Sequence, residues 1–170
     1  AGLLTVRKKV PSIVWQPETE LVYGAKVDDD LLRAESDFIG QFSSSIALGT
    51  LLQVGVVELD LVFIPEDEVN FEEILLQNKF NVKKAPLLIS IKDAMKGVGF
   101  NNPDFKIIYD GFIVGEDPSD LSTLPKVLTE ARIDSPVGDY PMVVSGATSG
   151  NYNITHKSGV LKVMDMLELV

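Results

Sequence analysis

Cysteine is absent from this 170-residue chain, and histidine and tryptophan each occur once. Without a thiol there is no disulfide, no thiolate nucleophile and no thiolate-bound metal. The compartment stays open, because a cysteine-free chain fits the cytosol as well as the outside of a cell. No apolar run approaches the ~18 residues that a membrane helix needs. The stretch Ala1-Gly2-Leu3-Leu4-Thr5-Val6-Arg7-Lys8-Lys9 places its charges after a short apolar run, the reverse of a secretory leader. Any leader is therefore expected to have been removed or to lie outside this stretch. Basic charge is also scarce, since 25 Asp and Glu against 15 Lys and Arg leave a net charge of −10. Such a surface repels phosphate backbones and anionic lipid, which argues against nucleic acid and membranes as partners.

The signatures of catalysis are equally thin. His156, in Asn153-Ile154-Thr155-His156-Lys157, stands beside a lysine and reads as an exposed turn residue. Gly146-Ala147-Thr148-Ser149-Gly150 has the wrong spacing for the Gly-x-Ser-x-Gly nucleophile elbow. Gly97-Val98-Gly99 lacks the third glycine of a dinucleotide loop and opens no helix, and there is no phosphate loop of the Lys-Ser/Thr type. A glycosidase needs two carboxylates across a cleft, which small β modules rarely form. The densest acidic clusters are Asp28-Asp29-Asp30 and Glu66-Asp67-Glu68. Clustered carboxylates suit calcium, but neither cluster follows the spaced Asp-x-Asp-x-Asp-Gly loop, so both read as solvated turns. Accordingly the sequence nominates no catalytic residue, no cofactor-binding residue and no metal ligand, and implies no cofactor. Trp15, Tyr23, Phe112, Tyr140 and Tyr152 are the aromatic residues that a sugar platform would use. Core packing is the preferred reading for them.

What is present is a β-rich pattern. The hydrophobic fraction is 45%, ordinary for a globular protein. The length suits two modules of about 80 residues, each with a thin core. A short string recurs at nearly equal intervals. Leu4-Thr5-Val6-Arg7-Lys8-Lys9-Val10-Pro11 reads like Phe80-Asn81-Val82-Lys83-Lys84-Ala85-Pro86-Leu87, with a weaker echo at Gly159-Val160-Leu161-Lys162-Val163-Met164-Asp165. Each is read as a final strand followed by a linker, because proline cannot continue a ladder. This predicts the tail of a preceding repeat at 1–9, one module over 10–84 and a second over 85–170. The expected junction is a short, restrained linker near Lys83-Lys84-Ala85-Pro86 in an elongated monomer.

Within the modules, Val57, Leu59, Leu61 and Phe63 alternate with Glu58, Asp60 and Val62, the period of a half-buried strand. Phe105, Ile107 and Tyr109 form a second such run, and Tyr140, Met142 and Val144 a third. Tyr152–Thr155 and Val160–Val163 read as a hairpin turned through Lys157-Ser158-Gly159. Phe71–Lys79 is ambiguous between helix and strand. We assign strand, with Ile74, Leu76, Phe80 and Val82 on one face. Helix is expected only at Asp28–Glu35, for about two turns, and at Pro118–Leu121, where Asp117 is placed to cap and proline takes the first position.

Residues 109–163 resemble the bacterial MBG domain, a repeat of large surface and extracellular proteins. The resemblance is carried by Tyr109-Asp110-Gly111-Phe112, Gly115-Glu116-Asp117, Leu124-Pro125 and Ser135-Pro136-Val137-Gly138-Asp139-Tyr140-Pro141. It continues through Val144-Ser145-Gly146-Ala147, Asn151-Tyr152-Asn153-Ile154 and Gly159-Val160-Leu161-Lys162-Val163. The family's usual Tyr-Gly before Asn-Pro is replaced by Gly97-Val98-Gly99-Phe100-Asn101-Asn102-Pro103. The first module is similar to bacterial Ig-like surface repeats through Pro11-Ser12-Ile13-Val14-Trp15, Leu21-Val22-Tyr23-Gly24, Gly40-Gln41-Phe42, Gly49-Thr50-Leu51-Leu52, Gly55, Phe63-Ile64-Pro65-Glu66-Asp67 and Asn70-Phe71. Together these imply a mostly β fold: an Ig-like sandwich, then either a sandwich or a compact sheet with a short helix. They also imply an extracellular or cell-surface location, with neighbouring repeats of the same chain as partners. The implied role is spacing or adhesion, without a reaction. In such a bacterial protein the glycosylation triplet Asn153-Ile154-Thr155 is set aside. Two other readings remain open: a module binding a glycan or a host surface ligand, and the accessory region of a secreted enzyme.

Overall fold

A computed structural model of the chain describes residues 5–165. It is almost entirely β. A single 3-10 turn is the only helical element among the described residues. The chain divides into two compact units, the first ending at Lys83 and the second beginning at Lys84.

The first unit contains β1 (Ile13–Val14), β2 (Glu20–Val22), β3 (Glu35–Ser36), β4 (Gly40–Ser44), β5 (Gly55–Pro65) and β6 (Ile74–Lys83). Its main sheet has the order β2-β6-β5-β4, and β1 pairs with β3 in a separate two-stranded ribbon. The long antiparallel β5–β6 pair is the spine of the unit, running from Gly55↔Val82 to Phe63↔Ile74. Period-two alternation decides its faces. Leu59, Leu61, Phe63, Phe80 and Val82 point inward and are almost wholly buried, each stabilising the unit by about 1.5–3 kcal/mol relative to an exposed position. Half-buried Trp15 lies 6.4 Å from Phe80, ring to ring, and its Nε1 donates to the Leu31 carbonyl at 2.9 Å. Loop residues Tyr23, Val27, Leu31 and Leu52 complete the core. On the outer face Glu58 stands opposite Lys79, with 2.7 Å between their charged atoms, and Gln77 donates to Asp60 at 2.9 Å. Parallel strand β2 is fastened to β6 by Lys83–Glu20 at 2.6 Å. These exposed pairs set register more than they add stability.

The second unit contains β7 (Ala85–Ile91), β8 (Ala94–Gly97), β9 (Ile107–Asp110), the 3-10 turn (Pro118–Asp120), β10 (Lys126–Leu128), β11 (Gly138–Ser145), β12 (Tyr152–Lys157) and β13 (Gly159–Met164). A four-stranded sheet of order β10-β11-β13-β8 accompanies a three-stranded sheet of order β12-β7-β9. Strand β11 lies against β7 across the core. Ala85, Leu87, Ile89 and Ile91 line that core from one sheet, and Met142, Val144, Leu161 and Val163 from the other. The alternative left open by the sequence thus resolves into two packed sheets, with the short helical turn burying no residue. At that turn Asp117 accepts from the Ser119 amide at 2.8 Å, and Asp120 accepts from the Asp117 amide at 2.8 Å, a reciprocal capping box.

Several expectations are corrected. Residues 28–35 form no helix. The Asp28 carboxylate accepts from the Leu31 amide at 2.8 Å and its carbonyl from the Leu32 amide, which closes a turn. Buried Leu31 anchors that turn, and Glu35 continues into β3 opposite Val14. Residues 152–163 are two strands but no hairpin. β12 runs parallel to β7, whereas β13 pairs with β11 and β8, so the chain changes sheets at Ser158. Gly159 sits so close to Ile91 that an added Cβ would lie 2.8 Å from the Ile91 carbonyl oxygen.

Pro86 belongs to no linker. It is the second residue of β7, opposite Asn153, and Lys84 alone separates β6 from β7. Proline is tolerated there because the β7–β9 ladder begins only at Leu88, so no partner awaits its missing N–H. The recurring string therefore has no common structure. Leu4, like residues 1–3, lies outside the described residues. The rest of its first copy holds one isolated bridge at Lys9, the second joins two strands, and the third is β13.

Candidate functional site

No group of three or more His, Cys, Asp or Glu residues able to hold a metal occurs among the described residues. Three carboxylates of the two acidic clusters serve their own turns. Asp28 holds the Leu31 amide, and Asp30 pairs with Arg33. Asp67 accepts from the Val69 and Asn70 amides at 3.2 and 3.1 Å and from Asn70 Nδ2 at 2.8 Å. The Asn70 side chain is the main reason the Asp67 carboxyl is held below its ordinary pKa. His156 is exposed, as expected, but on strand β12 rather than in a turn.

None of the five aromatic candidates forms an open platform. Tyr23 and Tyr152 are buried, and Trp15, Phe112 and Tyr140 are half-buried. Phe112 packs between Tyr109 and Tyr152, with ring centroids 5.7 and 5.3 Å away. The Tyr152 hydroxyl donates to Glu116 at 2.5 Å and accepts from the Ile113 amide at 3.0 Å. Burial, reinforced by the Glu116 carboxylate, pushes its pKa up to about 12. These bonds fasten the 113–116 loop to β12, so the motif residues Glu116 and Tyr152 act on each other structurally. A third polar anchor is buried Lys96, whose ammonium donates to the Phe100 and Arg132 carbonyls and ties two loops to β8.

An open surface with recognisable binding character lies on the first unit, over the end of the β4–β5 pair. A groove of about 410 Å³ is lined by Ile39, Ile64 and Pro65 together with Glu66 and Glu68. An adjoining hollow of about 280 Å³ shares Ile39 and Glu66 and adds Phe38, Phe71 and Asp67. Ile39 is 78% exposed, unusual for so apolar a side chain. The Phe38 and Phe71 rings pack 4.2 Å apart, and Lys9 Nζ sits 4.5 Å above the Phe38 ring. The Lys9 amide donates to the Asn70 carbonyl at 2.7 Å, and its carbonyl accepts from Glu72 at 3.0 Å. Lys8 Nζ donates to the Glu68 carbonyl at 2.5 Å. Sequence reasoning singled out Glu66-Asp67-Glu68 and Asn70-Phe71 but not Phe38 or Ile39. No local signal joins them. The β4–β5 register and the Asp67 turn bring them together.

On the second unit, the outer face of the four-stranded sheet carries an apolar stripe. Leu128 stands opposite Val143, and Pro141 opposite Val160, all exposed.

No curated protein matches this chain. Residues 87–162, from within β7 to within β13, match the family model of the MBG domain (YGX type), and over that span the chain is similar to that β-rich domain of the surface-repeat type.

Proposed function

We propose that the chain is a pair of non-catalytic structural modules from a bacterial extracellular or cell-surface protein, acting as spacer repeats that support adhesion. The observation that carries this reading is the MBG-domain match at 87–162, on a unit whose buried Tyr152 and Lys96 bond to its own loops. Tyr152 bonds Glu116, Lys96 holds two loop carbonyls, and Asp117 caps its own turn. In this reading the first unit is an Ig-like repeat, and neighbouring repeats of the same chain are the partners.

A second reading is a glycan- or host-ligand-binding module, which the exposed groove at Ile39 favours. A panel of host-cell and polysaccharide glycans, screened against the folded fragment with and without calcium, separates the two. The spacer reading predicts silence in both conditions. A reproducible hit that is lost on Ile39→Asp, with folding retained, would replace it with a recognition module.

A further inference from the structure

The groove at the end of the β4–β5 pair combines two chemistries. An apolar wall (Ile39, Ile64, Pro65, Phe38, Phe71) meets the carboxylate-bearing residues Glu66 and Glu68, neither of which is ion-paired among the described residues. The chain's own Lys8-Lys9 segment lies along one end of it. Lys9 makes a parallel bridge to Phe71 and places its ammonium over Phe38, and Lys8, just before it, donates to the Glu68 backbone carbonyl. The larger part of the groove, at Ile39, Ile64 and Pro65, takes no part in those contacts. β4 is the edge of its sheet and pairs only with β5, so one side of its backbone is unpaired with any strand among the described residues. An exposed apolar groove with an acidic margin has the chemistry of an acceptor for a basic, partly apolar extended chain.

We infer that this groove is a docking site for an extended, lysine-rich peptide segment that also carries an aliphatic side chain. The aliphatic group enters at Ile39 and Ile64, and the ammonium groups meet Glu66 and Glu68. The segment lies extended across the β4–β5 pair. Charge complementarity selects the partner, because the chain as a whole carries a net charge of −10 and the groove margin shares that sign. The inference goes beyond the spacer reading and does not rest on it: a spacer with this groove also captures a basic strand, and one without it remains a spacer.

The test is fluorescence anisotropy on the full chain. The probe is a labelled peptide, Val-Arg-Lys-Lys-Val-Pro, with its charge-reversed counterpart Val-Glu-Glu-Glu-Val-Pro as control. Saturable binding of the basic peptide is expected, weakening in high salt, with affinity for the acidic peptide lower by about tenfold or more. Ile39→Asp and Glu66→Lys should each weaken binding of the basic peptide at least about tenfold. Val143→Asp, on the outer face of the second unit, should leave it unchanged. Trp15 emission checks that the first unit of each variant is folded, and far-UV circular dichroism checks the second. The inference is overturned if the basic peptide fails to bind at about 1 mM, if both peptides bind alike, or if folded Ile39→Asp and Glu66→Lys bind as the parent does.

Discussion

Phe80→Ala is expected to remove a large part of the stability of the first unit. Phe80 is wholly buried on β6, at the point where Trp15, Leu59 and Val82 close the core. Truncating such a phenylalanine costs about 3–5 kcal/mol, through lost transfer energy and the cavity left behind. A unit of roughly 80 residues holds only about 4–12 kcal/mol in total. Leu75 on the same strand faces out and is 57% exposed, so Leu75→Ala should change stability by no more than ~0.5 kcal/mol. Trp15 is the chain's only tryptophan and belongs to this unit, so its emission during urea denaturation reads the effect directly. The expected result is a large fall in midpoint for Phe80→Ala and almost none for Leu75→Ala. Similar shifts for both would contradict the assigned faces of β6.

Gly111→Ala is expected to be comparably severe in the second unit. Gly111 follows β9 with φ +118°, a conformation that residues with a Cβ rarely adopt. An added Cβ would also lie 2.5 Å from the Pro86 carbonyl oxygen and 3.3 Å from Leu87 Cα. Both atoms are backbone of β7, the central strand of its sheet, and cannot swing aside. Backbone strain contributes about 1–3 kcal/mol and the overlap about as much again. Gly115 separates the two effects. Its φ is +95°, yet nothing lies within 4 Å of its added Cβ, so Gly115→Ala should show the backbone part alone. Far-UV circular dichroism against temperature should rank Gly111→Ala well below Gly115→Ala, with both below the parent. Equal melting temperatures for the two variants would mean that the close approach to Pro86 has no energetic weight.

The parts of the fold that were legible in the sequence are those decided by local physics. Alternation at Val57–Phe63 and Tyr140–Val144 needs only the period of a strand, and both runs are strands with the expected residues inward. The ambiguous Phe71–Lys79 segment resolves as strand from Ile74 onward, because Ile74, Leu76, Phe80 and Val82 share the inward face. Asp117 followed by proline is a complete local instruction for a capped turn, and that turn is present.

What stayed illegible depends on partners distant in sequence. Val160–Val163 announces a strand but not that β11 and β8, rather than β12, are its neighbours. Asp28–Glu35 has the composition of a short helix, yet the Asp28 carboxylate competes for the Leu31 amide and the chain leaves for β3. Pro86 looks like a stop signal until the start of the β7–β9 ladder at Leu88 is known. The groove was half legible. Its acidic residues are contiguous in sequence, but Phe38 and Ile39 join them only through the pairing of β4 with β5.

The proposal that this chain serves as a structural repeat is tested most directly by single-molecule pulling between its ends. A pair of structural modules should unfold in two discrete steps, each releasing close to the length of one unit at ~3.5 Å per residue. A smooth extension without steps, at forces no greater than those of an unfolded chain, would contradict the structural role.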